Sequence, residues 1–267
     1  MSSKGKSDRL AELSNVGKLD YIINNYSKIK VAIDYHTPTD PYTLMGIMGN
    51  VCLSEYDPNL PLERYDKIAT QCVTQNHGRV IEFPDVYFII DGSAKMMREL
   101  YTHIIGVSRL QQSTRYSKHE DEPFDFFVPP TVSLSEEALE LYENCCKTIG
   151  DTITKIKELG IPHEDATMLL PIGYMSEMVL KCTARSLINL SNQRLCNKAY
   201  HEIRVVLIKM LVNLALYSDQ WKKLIIEIGK PKCFMCGGCP ENKPCTGIPV
   251  NISEIIYECE QRGLKQI

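Results

Sequence analysis

The chain has 267 residues, 44% hydrophobic and 24% charged, with a formal net charge of -3 and a pI near 6.1. This is a globular composition with apolar residues enough for one large domain or two small ones, and its slight acidity excludes a general binder of nucleic acid polymers, which carries a basic excess. The opening MSSKGKSDR has no apolar core and the longest apolar run, 205–217, is broken by Lys209 and Asn213, so a cytoplasmic protein with no membrane span is expected.

In chain order, residues 7–30 carry the spacing of one or two short helices, and 42–53 and 62–75 that of two more. Residues 79–91 are dense in β-branched and aromatic side chains and end at Asp91-Gly92, which predicts a strand closed by a turn. Ser93 is a predicted N-cap for a helix over 93–104. A polar, turn-prone stretch at 113–122 leads to Phe124-Asp125-Phe126-Phe127-Val128, a predicted strand stopped by Pro129-Pro130. Ser133 and Ser135 precede a predicted helix reaching 159, and residues 164–192 and 197–228 read as two long helices. Few strands among many helices make the expected class α+β.

Three segments carry chemistry. The run TARSLINLSNQRLCNKAYHEIR, Thr183 to Arg204, puts polar residues where an amphipathic helix would carry leucine. At about 3.6 residues per turn Arg185 and Asn189 share a face, and Arg194 follows at a break, so two guanidinium groups and an amide suit an anionic, hydrogen-bonding ligand. The run SRLQQSTRYSK, Ser108 to Lys118, offers hydroxyls, amides and Arg115 in a loop, donors that suit a phosphate. The third, NHGRVIE from Asn76 to Glu82, reads by itself as a histidine opening a strand beside a solvated glutamate.

Together, and in this order, these segments resemble the flavin-dependent thymidylate synthase family over residues 45–225, most closely over 165–215. The Ser-x-Arg-Tyr-Ser half of the family's hallmark stands intact at Ser113-Thr114-Arg115-Tyr116-Ser117. Its Arg-His-Arg half is replaced by His103-Ile104-Ile105, and the arginine that precedes its Leu-Pro by Thr167. The resemblance implies an α+β fold with a small, mostly antiparallel sheet and long helices. It also implies a homotetramer with each active site built from several subunits.

The implied reaction transfers a one-carbon unit from methylenetetrahydrofolate to a pyrimidine deoxynucleotide, dUMP to dTMP, with FAD moving hydride and NADPH recharging it. By the same resemblance Arg194 is the catalytic group that holds and polarises the pyrimidine, and Gln111, Gln112, Ser113, Thr114 and Arg115 bind the nucleotide. His77, His103, Asn189 and Lys198 match cofactor-binding positions, and Cys52 aligns with a flavin-contacting serine. The missing arginines leave two alternatives open: methyl or hydroxymethyl transfer to another pyrimidine nucleotide, and a non-catalytic nucleotide- or flavin-binding protein.

The eleven cysteines, an odd number without a secretion signal, favour reduced thiols over a disulfide framework. Cys233, Cys236, Cys239 and Cys245, spaced C-x2-C-x2-C-x5-C among Gly and Pro, predict four thiolates around zinc or an iron-sulfur cluster. Cys145, Cys146, Cys182 and Cys196 sit in helical patterns and read as core residues. The expected organisation is one domain over 1–230 and a C-terminal extension over 231–267.

Overall fold

The computed structural model describes residues 15–115, 124–245 and 249–267. It runs through α1 (Leu19–Asn25), β1 (Lys30–Ile33), α2 (Pro41–Asn50), α3 (Leu62–Thr74), α4 (Gly78–Ile81) and β2 (Asp85–Ser93). Next come α5 (Ala94–Tyr101), β3 (Val107–Gln111), α6 (Glu136–Glu158), α7 (His163–Ala166) and β4 (Met175–Thr183). Five helices complete the chain: α8 (Ala184–Arg194), α9 (His201–Tyr217), α10 (Asp219–Ile228), α11 (Lys232–Met235) and α12 (Ile252–Gln261). The class is α+β, as expected.

The four strands form one antiparallel sheet in the order β1-β2-β4-β3. Strands β2 and β4 pair along their whole length, from Asp85 opposite Thr183 to Ser93 opposite Met175. Side chains alternate across a strand, so Val86, Phe88, Ile90, Met178, Leu180 and Cys182 share one buried face. That face packs into a core with α9, in which every residue from Glu202 to Ala215 is buried. A helix apolar on all sides has to lie inside the protein.

The polar residues on α9 are anchors. Lys209 Nζ donates to the carbonyl oxygens of Ile29 (2.8 Å) and Tyr26 (3.3 Å), and Asn213 donates to that of Val31 (2.7 Å). These bonds supply partners to the backbone entering and forming β1, which stands at the edge of the sheet. Glu202 accepts from Ser93 N (2.8 Å) and Ser93 Oγ (2.6 Å), and Ser93 Oγ in turn accepts from Met96 N. The predicted cap of α5 is therefore found, with a buried carboxylate holding it. Helix α12 joins the same core through Ile252, Ile255, Ile256 and Cys259, and Ile267 N donates to Asn213 Oδ1 at 2.8 Å.

Several sequence expectations need correction. The expected helix over 164–192 is instead α7, a 3-10 turn at Thr167–Leu169, strand β4 and helix α8. Pairing with β2 outweighs helix propensity there, and the run from Ser176 to Cys182 alternates buried and outward positions as a strand does. The expected strand over 79–91 opens as the helical turn α4 and becomes a strand only after Pro84, while Asp91-Gly92 lies paired inside β2 rather than in a turn. Residues 124–128 make only the isolated bridge Phe126 to Tyr174. The expected helix over 197–228 divides at Ser218, whose Oγ caps α10 by accepting from Trp221 N (3.1 Å). Strands β1 and β3 have no counterpart among the expected elements.

Gly106 locks the α5–β3 turn onto the start of α8. Its φ of +66° lies in the left-handed region, and a Cβ there would stand 2.3 Å from Ser186 Oγ. Its carbonyl accepts from Thr183 N (3.0 Å), and the Ile105 carbonyl accepts from Ser186 Oγ (2.8 Å). Gly106→Ala is expected to destabilise the fold by about 1–3 kcal/mol, read as a lower Tm by calorimetry. A variant melting with the wild type would contradict this role.

Candidate functional site

A cavity of about 550 Å³ opens at the end of the sheet where β4 begins. Gln112 and Thr114, from the loop after β3, line it together with Thr167, Ser176, Glu177, Lys30 and Lys157. Residues 112–115 are tied to their surroundings. Gln112 N donates to Glu177 O at 2.8 Å, Thr167 Oγ1 to Thr114 O at 3.4 Å, and Arg115 forms an ion pair with Glu164. Ser113 Oγ accepts from Arg115 N at 3.2 Å, and Gln111 Nε2 donates to Ser176 Oγ at 3.2 Å. The five expected nucleotide-binding residues thus lie in one stretch beside Thr167, whereas Tyr116, Ser117 and Lys118 lie outside the described residues.

Helix α8 starts at the opposite end of β4. Thr183 Oγ1 caps it by accepting from Ser186 N (3.2 Å), and nine strand residues at about 3.3 Å each separate this end from the cavity. Arg185, Asn189 and Gln193 recur every four residues along its exposed face, and Gln193 Nε2 donates to Asn189 Oδ1 at 2.9 Å. The Arg185 guanidinium lies over Gly78, where a Cβ would stand 2.8 Å from Cζ, and pairs with Glu82 Oε1 at 2.5 Å. His77, at the N-cap of α4, is exposed beside it. His77, Arg185 and Asn189 therefore form an accessible polar patch, and none of the three lines the cavity.

Arg194, at the other end of α8, is turned inward against the end of α5 and is 17% exposed. Its Nη1 donates to Glu99 Oε2 (2.9 Å), its Nη2 to Thr102 Oγ1 (2.8 Å) and the Glu99 carbonyl (3.4 Å), and its Nε to His103 Nε2 (2.9 Å). His103 is buried and faces Arg194 rather than the polar patch. Arg109 is committed to the same helix end: it donates to the carbonyls of His103 (2.6 Å) and Tyr101 (3.0 Å) and lies 4.6 Å from the Tyr101 ring centroid. A cation on the last carbonyls of a helix complements its dipole. Arg109 is thus a cap for α5 and does not stand in for the arginines replaced at 103–105.

The cysteine segment is not gathered into a ligand set. Among the described residues, which include all four thiols, no group of three or more His, Cys, Asp or Glu is placed to hold a metal ion. Cys236 and Cys239 are exposed while Cys233 and Cys245 are half-buried, and no disulfide forms among the described residues. The segment docks through Lys198, whose Nζ lies 3.7 Å from Glu241 Oε2, so that expected flavin neighbour faces a carboxylate. Of the cysteines read as core, Cys146 and Cys182 are buried, Cys196 is half-buried and Cys145 is exposed; Cys52 is exposed too.

The sequence profile described as "Thymidylate synthase complementing protein" matches residues 33–216. A flavin-dependent thymidylate synthase from Geobacter sulfurreducens is 27% identical over 236 residues, 86% of this chain and 99% of that protein. Another from Pyrococcus horikoshii is 30% identical over 228 residues, 80% of this chain and 91% of the relative. The chain belongs to the flavin-dependent thymidylate synthase family. The fold is shared with the UMP/dUMP methylase PolB of Streptomyces cacaoi, solved with 5-Br dUMP, at a TM-score of 0.63 and 17% identity over 76% of this chain and 97% of that one.

Within this family member, sequence reasoning missed Lys30 and Lys157 on the cavity and Glu99 and Thr102 around Arg194. Lys30 lies on a strand that the pattern hid, and the others are single polar positions on helices or their ends, with no spacing to mark them. Among the described residues no helix is long and apolar enough to cross a membrane.

A buried histidine, His103, and a half-buried one, His201, give the fold an acid limit. Burial, with Arg194 and Arg109 for His103 and Arg204 and Lys95 for His201, lowers both rings from 6.5 to about 4. His201 Nδ1 pairs with Tyr26 Oη at 2.9 Å. Because the unfolded chain takes up these protons first, their contribution is whole above the unfolded value and is lost as pH falls from 6.5 through about 4. Denaturant unfolding is expected to show stability dropping over that window, with a shallower drop in His201→Gln. Equal slopes in the two proteins would contradict the assignment.

Proposed function

We propose that the protein transfers a one-carbon unit from methylenetetrahydrofolate to a pyrimidine deoxynucleotide, dUMP to dTMP, as a FAD-dependent thymidylate synthase recharged by NADPH. The observation that carries this reading is the loop after β3, whose Gln112 and Thr114 line a cavity of about 550 Å³ with Lys30 and Lys157. That volume is in the range of small-molecule sites, and loop hydroxyls and amides beside two ammonium groups suit a nucleotide phosphate.

The accessible patch of His77, Arg185 and Asn189 fits a flavin by its chemistry: a ring nitrogen, a guanidinium and an amide, all exposed on neighbouring elements. FAD bound there would supply hydride transfer, with the carbon coming from the folate. The protein's own share is to bind and orient the nucleotide and to stabilise charge developing on the pyrimidine. We assign the second task to Arg194. A guanidinium has five N–H groups; four of Arg194's point at Glu99, Thr102 and His103, and one on Nη1 has no acceptor among the described residues.

Because the cavity and the patch sit at opposite ends of β4, one chain offers two half-sites. This supports a homotetramer in which the halves come from different subunits. The outer sheet face supports the same reading: Ile89, Val179 and Leu110 stand in register across β2, β4 and β3, with Val179 and Leu110 exposed. A second copy of the chain would cover that row. The organisation read from sequence, with a catalytic domain over 1–230 and an extension after it, is retained here with the amendment that α12 shares the main core. No step is assigned to a metal at the cysteines.

The purified protein is expected to be yellow, with a flavin absorbance spectrum, and to release tritium from 5-labelled dUMP in preference to the deoxycytidine analogue. Colourless protein that takes up no added FAD would reject the reading, and preference for the cytidine nucleotide would redirect it to another base. Arg194→Ala is expected to lower kcat by about 100-fold or more and, through lost contacts to α5, to lower the Tm while leaving the circular dichroism folded. Near-wild-type turnover would remove Arg194 from its role.

A further inference from the structure

His103 stands where the family resemblance leads one to expect an arginine, and it is 5% exposed. Its Nε2 lies 2.9 Å from Arg194 Nε. A guanidinium only donates, so the imidazole must turn a bare nitrogen toward it and carry its proton on Nδ1. A protonated ring would set N–H against N–H and cation against cation. The charged groups facing the ring are Arg194 from α8, Arg109 from β3 and Glu99 from α5; burial first and the two guanidinium groups next keep the ring neutral, against the pull of Glu99.

Geometry gives this contact a function that the other three cannot supply. Glu99, through its carboxylate and its carbonyl, and Thr102 hold Arg194 only by its Nη atoms, which constrains the roll of the guanidinium least at its Nε edge. The contact on Nε fixes that edge. We propose that His103 is a positioning residue: as a neutral acceptor for Arg194 Nε–H it sets the roll of the guanidinium, and so aims the remaining Nη1 N–H at the pyrimidine nucleotide. This rests on the reading of Arg194 above. It recasts the replacement at 103 as the exchange of a cation for an acceptor.

The test compares wild type, His103→Gln, which keeps a neutral acceptor, and His103→Ala, which does not. In ligand-free protein with ¹⁵N-labelled arginine, the Arg194 Nε–H resonance, identified by its absence in Arg194→Ala, is expected to exchange slowly with water. It should stay protected in His103→Gln and lose protection in His103→Ala. In tritium release from dUMP, His103→Ala is expected to lose about 10-fold or more in kcat, the worth of one charge-assisted hydrogen bond, with His103→Gln within a few-fold of wild type. In an Arg194→Ala background, His103→Ala should change nothing further. Protection unchanged in His103→Ala, or equal loss of kcat in the Gln and Ala variants, would overturn the proposal. Wild-type protein inactive on every pyrimidine nucleotide would instead reject the function, with the resonance still deciding whether His103 orients Arg194.

Discussion

The end-to-end pairing of β2 with β4 decides where everything else can be. Because the strands are antiparallel, the chain leaving β2 and the chain entering β4 meet at one end, Ser93 beside Met175; the chain entering β2 and the chain leaving β4 meet at the other, Asp85 beside Thr183. The first end receives Thr167 and, through β3, the loop of Gln112 and Thr114. The second receives His77, Glu82 and the start of α8. Helix α5 then runs back from Ser93 and delivers Glu99 and His103 to Arg194. The motif pieces are thus distributed by strand direction between the two ends of β4.

The sheet is held in that arrangement by a helix whose polar residues look misplaced in sequence. Each buried polar group on α9 that ties the sheet is matched to backbone atoms: Glu202 to Ser93, Lys209 to Tyr26 and Ile29, Asn213 to Val31 and Ile267. Burial raises the Glu202 carboxyl and lowers Lys209 to about 8, so their charges are costly to keep and their removal would strand unpaired groups at about 1–3 kcal/mol each. Register depends on these bonds. A slip of β1 by one residue would take Val31 off Asn213 and turn its side chain out of the core.

Much of this was legible in the chain. Ser93 and Ser135 announced their helices as N-caps, and each accepts the third-residue N–H that a cap should. The loop proposed here to hold the nucleotide phosphate stands out in sequence because its polar character is local, carried by a few consecutive hydroxyls and amides. Strand β4 was not, since its apolar residues suit helix and strand alike, although Pro171 and Gly173 just before it mark a break in the chain. Glu99 and Thr102 were invisible for a different reason. Their role exists only because α5 folds back onto α8, and no spacing within one segment encodes a contact between two.

The replacement of Arg-His-Arg by His103-Ile104-Ile105 follows an electrostatic logic once Arg109 is placed. Two guanidinium groups, Arg109 and Arg194, already converge on the end of α5, with Glu99 the carboxylate paired there. A third at position 103, in a site 5% exposed, would add an unpaired buried charge, which costs several kcal/mol. A neutral ring satisfies Arg194 Nε without that cost. Ile104 and Ile105, 74% and 88% exposed, gain nothing from facing water, and the Ile105 carbonyl accepts from Ser186 Oγ at the start of α8. Where the family pattern has cations, this corner therefore carries an internal acceptor and an exposed apolar pair.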